Sequence, residues 1–144
     1  MAKYKGRTVV EGGVVEGEAL VSAMPFGFFG GVDPGTGIVI DRWHDLCEKN
    51  MKGKILVYPE GRGSTVGAAV MLELVRTGCA PAAILFNDSE IITVTGGVLA
   101  KKFYDKDLPM LDRFDCDITG EIKTGDRLRV DPAEGTVEIL SPAQ

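Results

Sequence analysis

The sequence predicts an α/β fold in which a β-rich barrel or sandwich carries its helices on one side. Three observations lead there. Short apolar runs, rich in β-branched residues and closed by glycine or proline, recur from one end to the other. Helical periodicity is confined to the middle of the chain. The 144 residues suffice for one core and are short for two, so residues 1–144 read as a single domain.

The elements follow in order. Residues 7–10 (RTVV) form a first strand, which Gly12-Gly13 breaks. Residues 14–21 then place Val15, Gly17, Ala19 and Val21 on one face and Val14, Glu16, Glu18 and Leu20 on the other. The pair reads as a hairpin with one wetter face. Residues 23–37 hold five glycines, two prolines and three phenylalanines, which forbids regular structure. Phenylalanines are costly to leave in water, so this loop either packs on its own domain or covers a partner.

Residues 38–40 (IVI) predict a short buried strand, residues 41–51 an irregular polar stretch, and residues 54–58 (KILVY) a firm strand. A glycine-rich turn follows, then a helix. Ser64 or Thr65 suits its N-cap, because a hydroxyl can accept from the free amides of the first turn. Val66, Ala69, Val70 and Leu74 recur at helical spacing, and Ala68, Met71, Leu72 and Val75 widen the apolar face. Gly78 suits the residue after the helix, and Pro81 prevents its continuation. Residues 82–86 (AAILF) predict a buried strand, 95–103 a second helix and 108–111 a short strand. A turn at 123–126 leads to a closing hairpin, 127–130 and 136–140, around the turn 131–135.

Composition excludes several functions. A net charge of −5 argues against a nucleic-acid partner, whose phosphates need a basic face. Lys101-Lys102 reads as a solvated helix end. No apolar run approaches a membrane span and residues 1–5 resemble no signal peptide, so a cytoplasmic protein is expected. Cys47, Cys79 and Cys116 are odd in number and widely spaced. They fit reduced thiols rather than a disulfide framework or a local metal site, with a ligand lent to a partner's cluster as the other reading. No metal or other cofactor is expected to be bound by this chain alone.

The turn Gly61-Arg62-Gly63-Ser64-Thr65 is the best candidate for chemistry. A strand–turn–helix junction aims free amides and the positive end of a helix dipole at one point. Glycines admit a ligand close to the backbone, and Arg62 could fork onto a carboxylate or phosphate. The expected ligand is an anion. Neither the P-loop nor the dinucleotide spacing is present. A plain capped helix after a tight turn explains the same residues, and both readings stay open. Ser64 is in turn a base or nucleophile stabilised by those amides, or simply the cap. His44, the single histidine, reads as a surface residue. Asp33 and Asp41 read as turn caps.

Five segments occur together in one order: VEGEALVS at 15–22, FGGVDP at 29–34, GRGSTVG at 61–67, APAAI at 80–84 and KTGDRLRVD at 123–131. Together they resemble the small subunit, or swivel domain, of the aconitase X family, across nearly the whole chain. The resemblance implies a swivelling β/β/α domain and a hydro-lyase activity shared with a larger subunit. That partner would carry most of the active site and an iron or iron–sulfur centre. Ser64 would remove the proton, while Gly61, Arg62, Gly63 and Thr65 would hold the anionic group of a small substrate. Members of the family dehydrate 5-phosphomevalonate or cis-3-hydroxy-L-proline. Residues 123–131 and the compact length resemble the first branch, residues 101–109 the second. Two rivals remain: a non-catalytic module that binds an anionic metabolite, and a phosphocarrier domain using His44.

Overall fold

A computed structural model describes residues 2–62 and 65–144. Eleven elements follow along the chain: β1 (Lys3–Lys5), β2 (Arg7–Val10), β3 (Val15–Val21), β4 (Ile55–Glu60), α1 (Thr65–Thr77), β5 (Ala83–Asp88), α2 (Ile91–Tyr104), β6 (Met110–Asp112), α3 (Ile118–Glu121), β7 (Arg127–Asp131) and β8 (Thr136–Ser141). The strands join in one mixed sheet of order β1-β8-β7-β3-β4-β5-β6-β2. Its centre, β3-β4-β5-β6, is parallel. Both flanks are antiparallel.

The parallel centre explains the continuous apolar runs. Parallel strands need crossovers, which cover both faces of the sheet. Leu56, Tyr58, Ile84, Phe86 and Met110 point to one core, shared with Met71 and Leu74 of α1, Ala100 of α2, and Phe26, Phe28 and Met51 of the 22–54 connection. Their neighbours Ile55, Val57, Ala83, Leu85 and Leu111 point to the other. There they meet Ile118 and Ile122 around α3 and Leu128, Val130 and Val137 of the β7–β8 arm. The two expected helices thus lie on one side of the sheet, and the strands beyond β3 fold over the other side.

Several expectations are corrected. Strands β2 and β3 do not form a hairpin: β2 pairs with β6 at the far edge, while β3 lies between β7 and β4. Ala19 and Leu20 are both buried, on opposite faces, so β3 has no wet face at that point and needs cover on both sides. Residues 38–40 make only isolated bridges, Ile38 to Asn50 and Val39 to Val32. Val39 is buried while Ile38 and Ile40 are exposed. The second helix starts at Ile91, earlier than its apolar periodicity suggests, because Glu90 caps it. Strand β1 and the four-residue α3 leave no periodic signal of their own. Gly78 ends α1 in the left-handed region, φ +76, as expected. No described helix is long and apolar enough to cross a membrane.

One buried carboxylate ties the far edge together. Asp112, with a fully buried side chain, accepts from Arg7 Nε and Nη2 at 2.9 Å each and from the Ser89 hydroxyl at 2.7 Å. Burial pushes its carboxyl up, but the Arg7 and Ser89 hydrogen bonds outweigh burial and hold it below its ordinary 3.8. A depressed folded value contributes stability above the ordinary value and loses it as pH falls through the folded one. Asp112→Ala is expected to cost about 2–3 kcal/mol in urea unfolding at pH 7, the scale of a charged hydrogen-bond set with orphaned donors. The gap between the variant and the parent should shrink as pH drops below 3.8. A gap independent of pH would contradict the assignment.

Candidate functional site

The parallel register brings two strand–helix junctions level. Glu60 of β4 stands opposite Asp88 of β5. Each strand then runs into a helix N-terminus, α1 at Thr65 and α2 at Ile91. The carboxyl ends of parallel strands are the usual place for ligands in such sheets.

The aromatic loop is clamped onto this edge. Phe26 N–H donates to the Glu60 carbonyl at 3.1 Å, and Arg62 N–H donates to the Phe26 carbonyl at 2.9 Å, closing a parallel bridge between Phe26 and Gly61. The Phe26 ring is buried edge-on to Phe28, 5.0 Å between centroids, and near Tyr58 at 5.8 Å. Phe29, in contrast, is 61% exposed. Two of the loop's phenylalanines thus pack on their own domain, the first of the two alternatives, while the third stands exposed.

Between the loop and Arg62 lies a cleft of about 220 Å³, lined chiefly by Gly27, Phe29, Gly30, Gly31, Asp41 and Arg62. A side chain on Gly31 would overlap the Gly27 carbonyl oxygen, so this wall has to be bare backbone. The Arg62 side chain is exposed and has no carboxylate partner among the described residues. Asp41, in the same cleft, keeps one carboxylate oxygen on its own turn, accepting from Trp43 N–H at 3.0 Å. Arg62 lines this cleft and Gly61 adjoins it in sequence, whereas Thr65 lines a second hollow. Gly63 and Ser64 lie outside the described residues.

Neither α1 nor α2 holds an acidic residue in its first turn. At α2, Glu90 accepts from Ile92 N–H at 2.7 Å and Thr93 N–H at 2.9 Å, so those amides are already taken. Glu90 was not foreseen, because glutamate is not among the preferred caps. A second, shallower hollow of about 380 Å³ is lined by Thr65, Ala68, Ile91, Ile92 and Thr95. Gly67 separates the two hollows: a Cβ there would be 3.9 Å from the Phe29 nitrogen and 3.8 Å from Ile92 Cγ2. Val66 of α1 is exposed on the same side, so the apolar face of this helix is narrower than its composition suggested.

His44 is not a surface residue. It is 6% exposed and stacks edge-on to Phe26 at 5.2 Å. Its Nε2 lies 3.0 Å from the Pro25 carbonyl and its Nδ1 accepts from Leu46 N–H at 3.1 Å, which fits a neutral ring protonated at Nε2. Ser22 Oγ is 3.5 Å from Nε2, and Asp45 Oδ1 is 3.2 Å from Nδ1. This grouping has the cast of a Ser-His-Asp triad but not its wiring. Ser22 is fully buried and donates directly to Asp45 at 2.6 Å, and Nε2 is engaged by a carbonyl. The cluster pins the connection that carries the cleft.

The remaining candidates are structural. Asp33 caps its turn, accepting from Gly35 N–H and Thr36 Oγ1. Cys47, Cys79 and Cys116 are unpaired thiols. Burial, followed by Asp115 and Glu121, pushes the Cys116 thiol up, away from the thiolate a metal would need. Among the described residues no three or more His, Cys, Asp or Glu side chains gather as a metal site.

Comparison with known proteins bears on the family and the fold. Residues 3–139 match the family described as the aconitase X swivel domain. The small subunit of phosphomevalonate dehydratase from Thermococcus kodakarensis is 44% identical over 142 residues, covering 99% of both chains. That of Methanosarcina acetivorans is 41% identical over 140 residues, covering 97% of this chain and 92% of the relative. The crystal structure of Thermococcus kodakaraensis aconitase X in its holo-form superposes with a TM-score of 0.88 at 44% identity, covering 98% of this chain and 100% of that one. An eight-stranded sheet with its helices so placed, matched over almost its full length, defines a swivel domain. The chain belongs to the aconitase X swivel family.

If the Ser22 cluster only holds the fold, Ser22→Ala should cost about 1–2 kcal/mol of stability, the scale of lost hydrogen bonds. An active-site serine probe of the fluorophosphonate class should leave Ser22 unlabelled in peptide mass spectrometry. Stoichiometric labelling would make it a nucleophile.

Proposed function

We propose that this chain is the small subunit of a phosphomevalonate dehydratase, completed by a larger subunit. The observation that carries the reading is near full-length identity of 41–44% to small subunits of that name, combined with an anion-suited cleft at the matching glycine turn. The substrate is a 3-hydroxy acid with a carboxylate at one end and a phosphate at the other. Dehydration removes the proton beside the carboxylate and the hydroxyl one carbon further on, leaving a carbon–carbon double bond and water.

This chain's share is anion binding and proton removal. Arg62 and the amides at the start of α1, around Thr65, hold one anionic end of the substrate. The bare backbone of Gly27, Gly30 and Gly31 and the turn glycines Gly61 and Gly63 let it approach closely. Ser64 takes the proton, its alkoxide stabilised by the same positive helix end. In this reading the iron or iron–sulfur centre that the family implies is carried by the larger subunit. Phe29 and Ile91 stand exposed in the linings of the two hollows, and Ile40 and Trp43, exposed too, flank the cleft residue Asp41 in sequence, with Trp43 at 88% and Ile91 at 79%. They form the surface on which the larger subunit seats and closes the cleft.

The purified pair of subunits should release water from 5-phosphomevalonate. Ser64→Ala should abolish turnover while the complex still assembles; undiminished turnover would remove Ser64 from the reaction. Arg62→Met should raise KM by roughly 10–100-fold, the scale of one lost charged contact. Trp43→Ser should weaken association in sedimentation velocity without lowering the melting temperature of the free chain. Turnover of cis-3-hydroxy-L-proline in place of 5-phosphomevalonate would transfer the enzyme to the other branch. Tight metabolite binding by the isolated chain with no turnover by the pair would make it a binding module.

A further inference from the structure

One residue spans both strand–helix junctions at the cleft. The Glu90 carboxylate occupies the N-terminus of α2, taking Ile92 N–H, Thr93 N–H and the Thr93 hydroxyl. Its stem lies against the other junction. A Cβ on Gly61 would stand 2.6 Å from Glu90 Cγ and 2.8 Å from Oε1. Gly61 and Arg62 are held from the opposite side by Phe26, through the bridge and the 2.9 Å bond to its carbonyl. Gly61 and Arg62 are therefore gripped between a glutamate and an aromatic loop. Beneath it, Tyr58 is fully buried, and burial together with the Glu90 charge pushes its phenol above the ordinary value, so it stays protonated.

A glutamate is a poor choice here on two counts. Its negative charge repels an anion in the neighbouring cleft. Serine or aspartate would cap α2 at least as well. Capping alone does not account for it. What glutamate adds is length, which carries its stem to Gly61.

We infer that Glu90 is a positioning residue for the glycine turn. Its stem sets the height of Gly61 and Arg62 over the cleft, and its carboxylate closes the end of α2 to a competing anion. The link to turnover rests on the dehydratase reading; the geometry does not.

The test uses the assembled two-subunit enzyme acting on 5-phosphomevalonate. Glu90→Asp keeps a capping carboxylate and drops one methylene. It should leave assembly and melting temperature unchanged yet raise KM about 10-fold or more, as a displaced Arg62 would, with kcat altered less than about 3-fold. Glu90→Gln keeps the length and removes the charge, so kcat should stay within about 3-fold while KM falls. A wild-type KM in Glu90→Asp, or an equal rise in Glu90→Gln, overturns the inference. A double-mutant cycle gives a second reading. Gly61→Ala should be impaired because its methyl meets Glu90, and Glu90→Ala should relieve that clash, so the double variant should exceed the product of the two single activities. Losses that simply multiply overturn the contact's role.

A readout free of substrate separates the two claims. In the free chain, the Arg62 amide should exchange with solvent about 10-fold faster in Glu90→Asp than in the parent, and unchanged in Glu90→Gln. If the wild-type pair leaves 5-phosphomevalonate intact, the dehydratase reading fails and these amide rates decide the Glu90 inference. Equal rates in all three proteins overturn it.

Discussion

The register between β4 and β5 is the constraint on which the site depends. Five residue pairs, from Ile55 with Ala83 to Glu60 with Asp88, bring the two strands to the same edge together. Side chains on this pair alternate between two cores, so a slip of one residue would turn Leu56, Tyr58, Ile84 and Phe86 into the wrong core. Packing therefore fixes register, and register fixes the spacing of the two helix ends. Gly61 touches Glu90 because these strands end level.

A second constraint comes from the long connection between β3 and β4. Parallel neighbours cannot be joined by a tight turn, and here no helix makes the crossover. The segment instead carries its own apolar plugs, Phe26, Phe28, Val39 and Met51, which enter the helix-side core. Plugs alone would leave the backbone between them loose. The Ser22–Asp45 and His44–Pro25 bonds fasten it where it leaves β3 and near Trp43. Residues 25–31 can then serve as one wall of a cleft, held from beneath by buried rings and from the side by Arg62.

What could be read in the sequence follows the range of the forces involved. The strand–turn–helix junction at 54–78 was legible because its signals are local: an apolar run, a glycine turn, a periodic helix and a glycine stop. The closing hairpin was legible for the same reason. The sheet order was not, since β2 pairs with β6 about a hundred residues away and nothing near Gly12-Gly13 encodes it. His44 was misread because its sequence neighbours are polar, while the groups that bury it, Pro25 and Phe26, lie far along the chain. Glu90 was missed because its role at Gly61 exists only once β4 and β5 are paired. The family resemblance compensated for this loss, because five ordered segments carry the non-local information that periodicity cannot.

The site so assembled is half of one. It has a cation, bare backbone and a helix end, all suited to holding negative charge. Among its described residues nothing gathers to bind a metal. Several large apolar side chains of the connection that carries the cleft stand exposed, Trp43 at 88%, Phe29 at 61% and Ile40 at 51%. Burying each such side chain is worth about 1.5–3 kcal/mol, so a few of them can supply much of an association energy. On the proposed reading, an anion-binding cleft and the exposed apolar side chains are covered together by one surface of the larger subunit. The exposed side chains and the cleft then serve one purpose, since the contact that buries the first also closes the second to water.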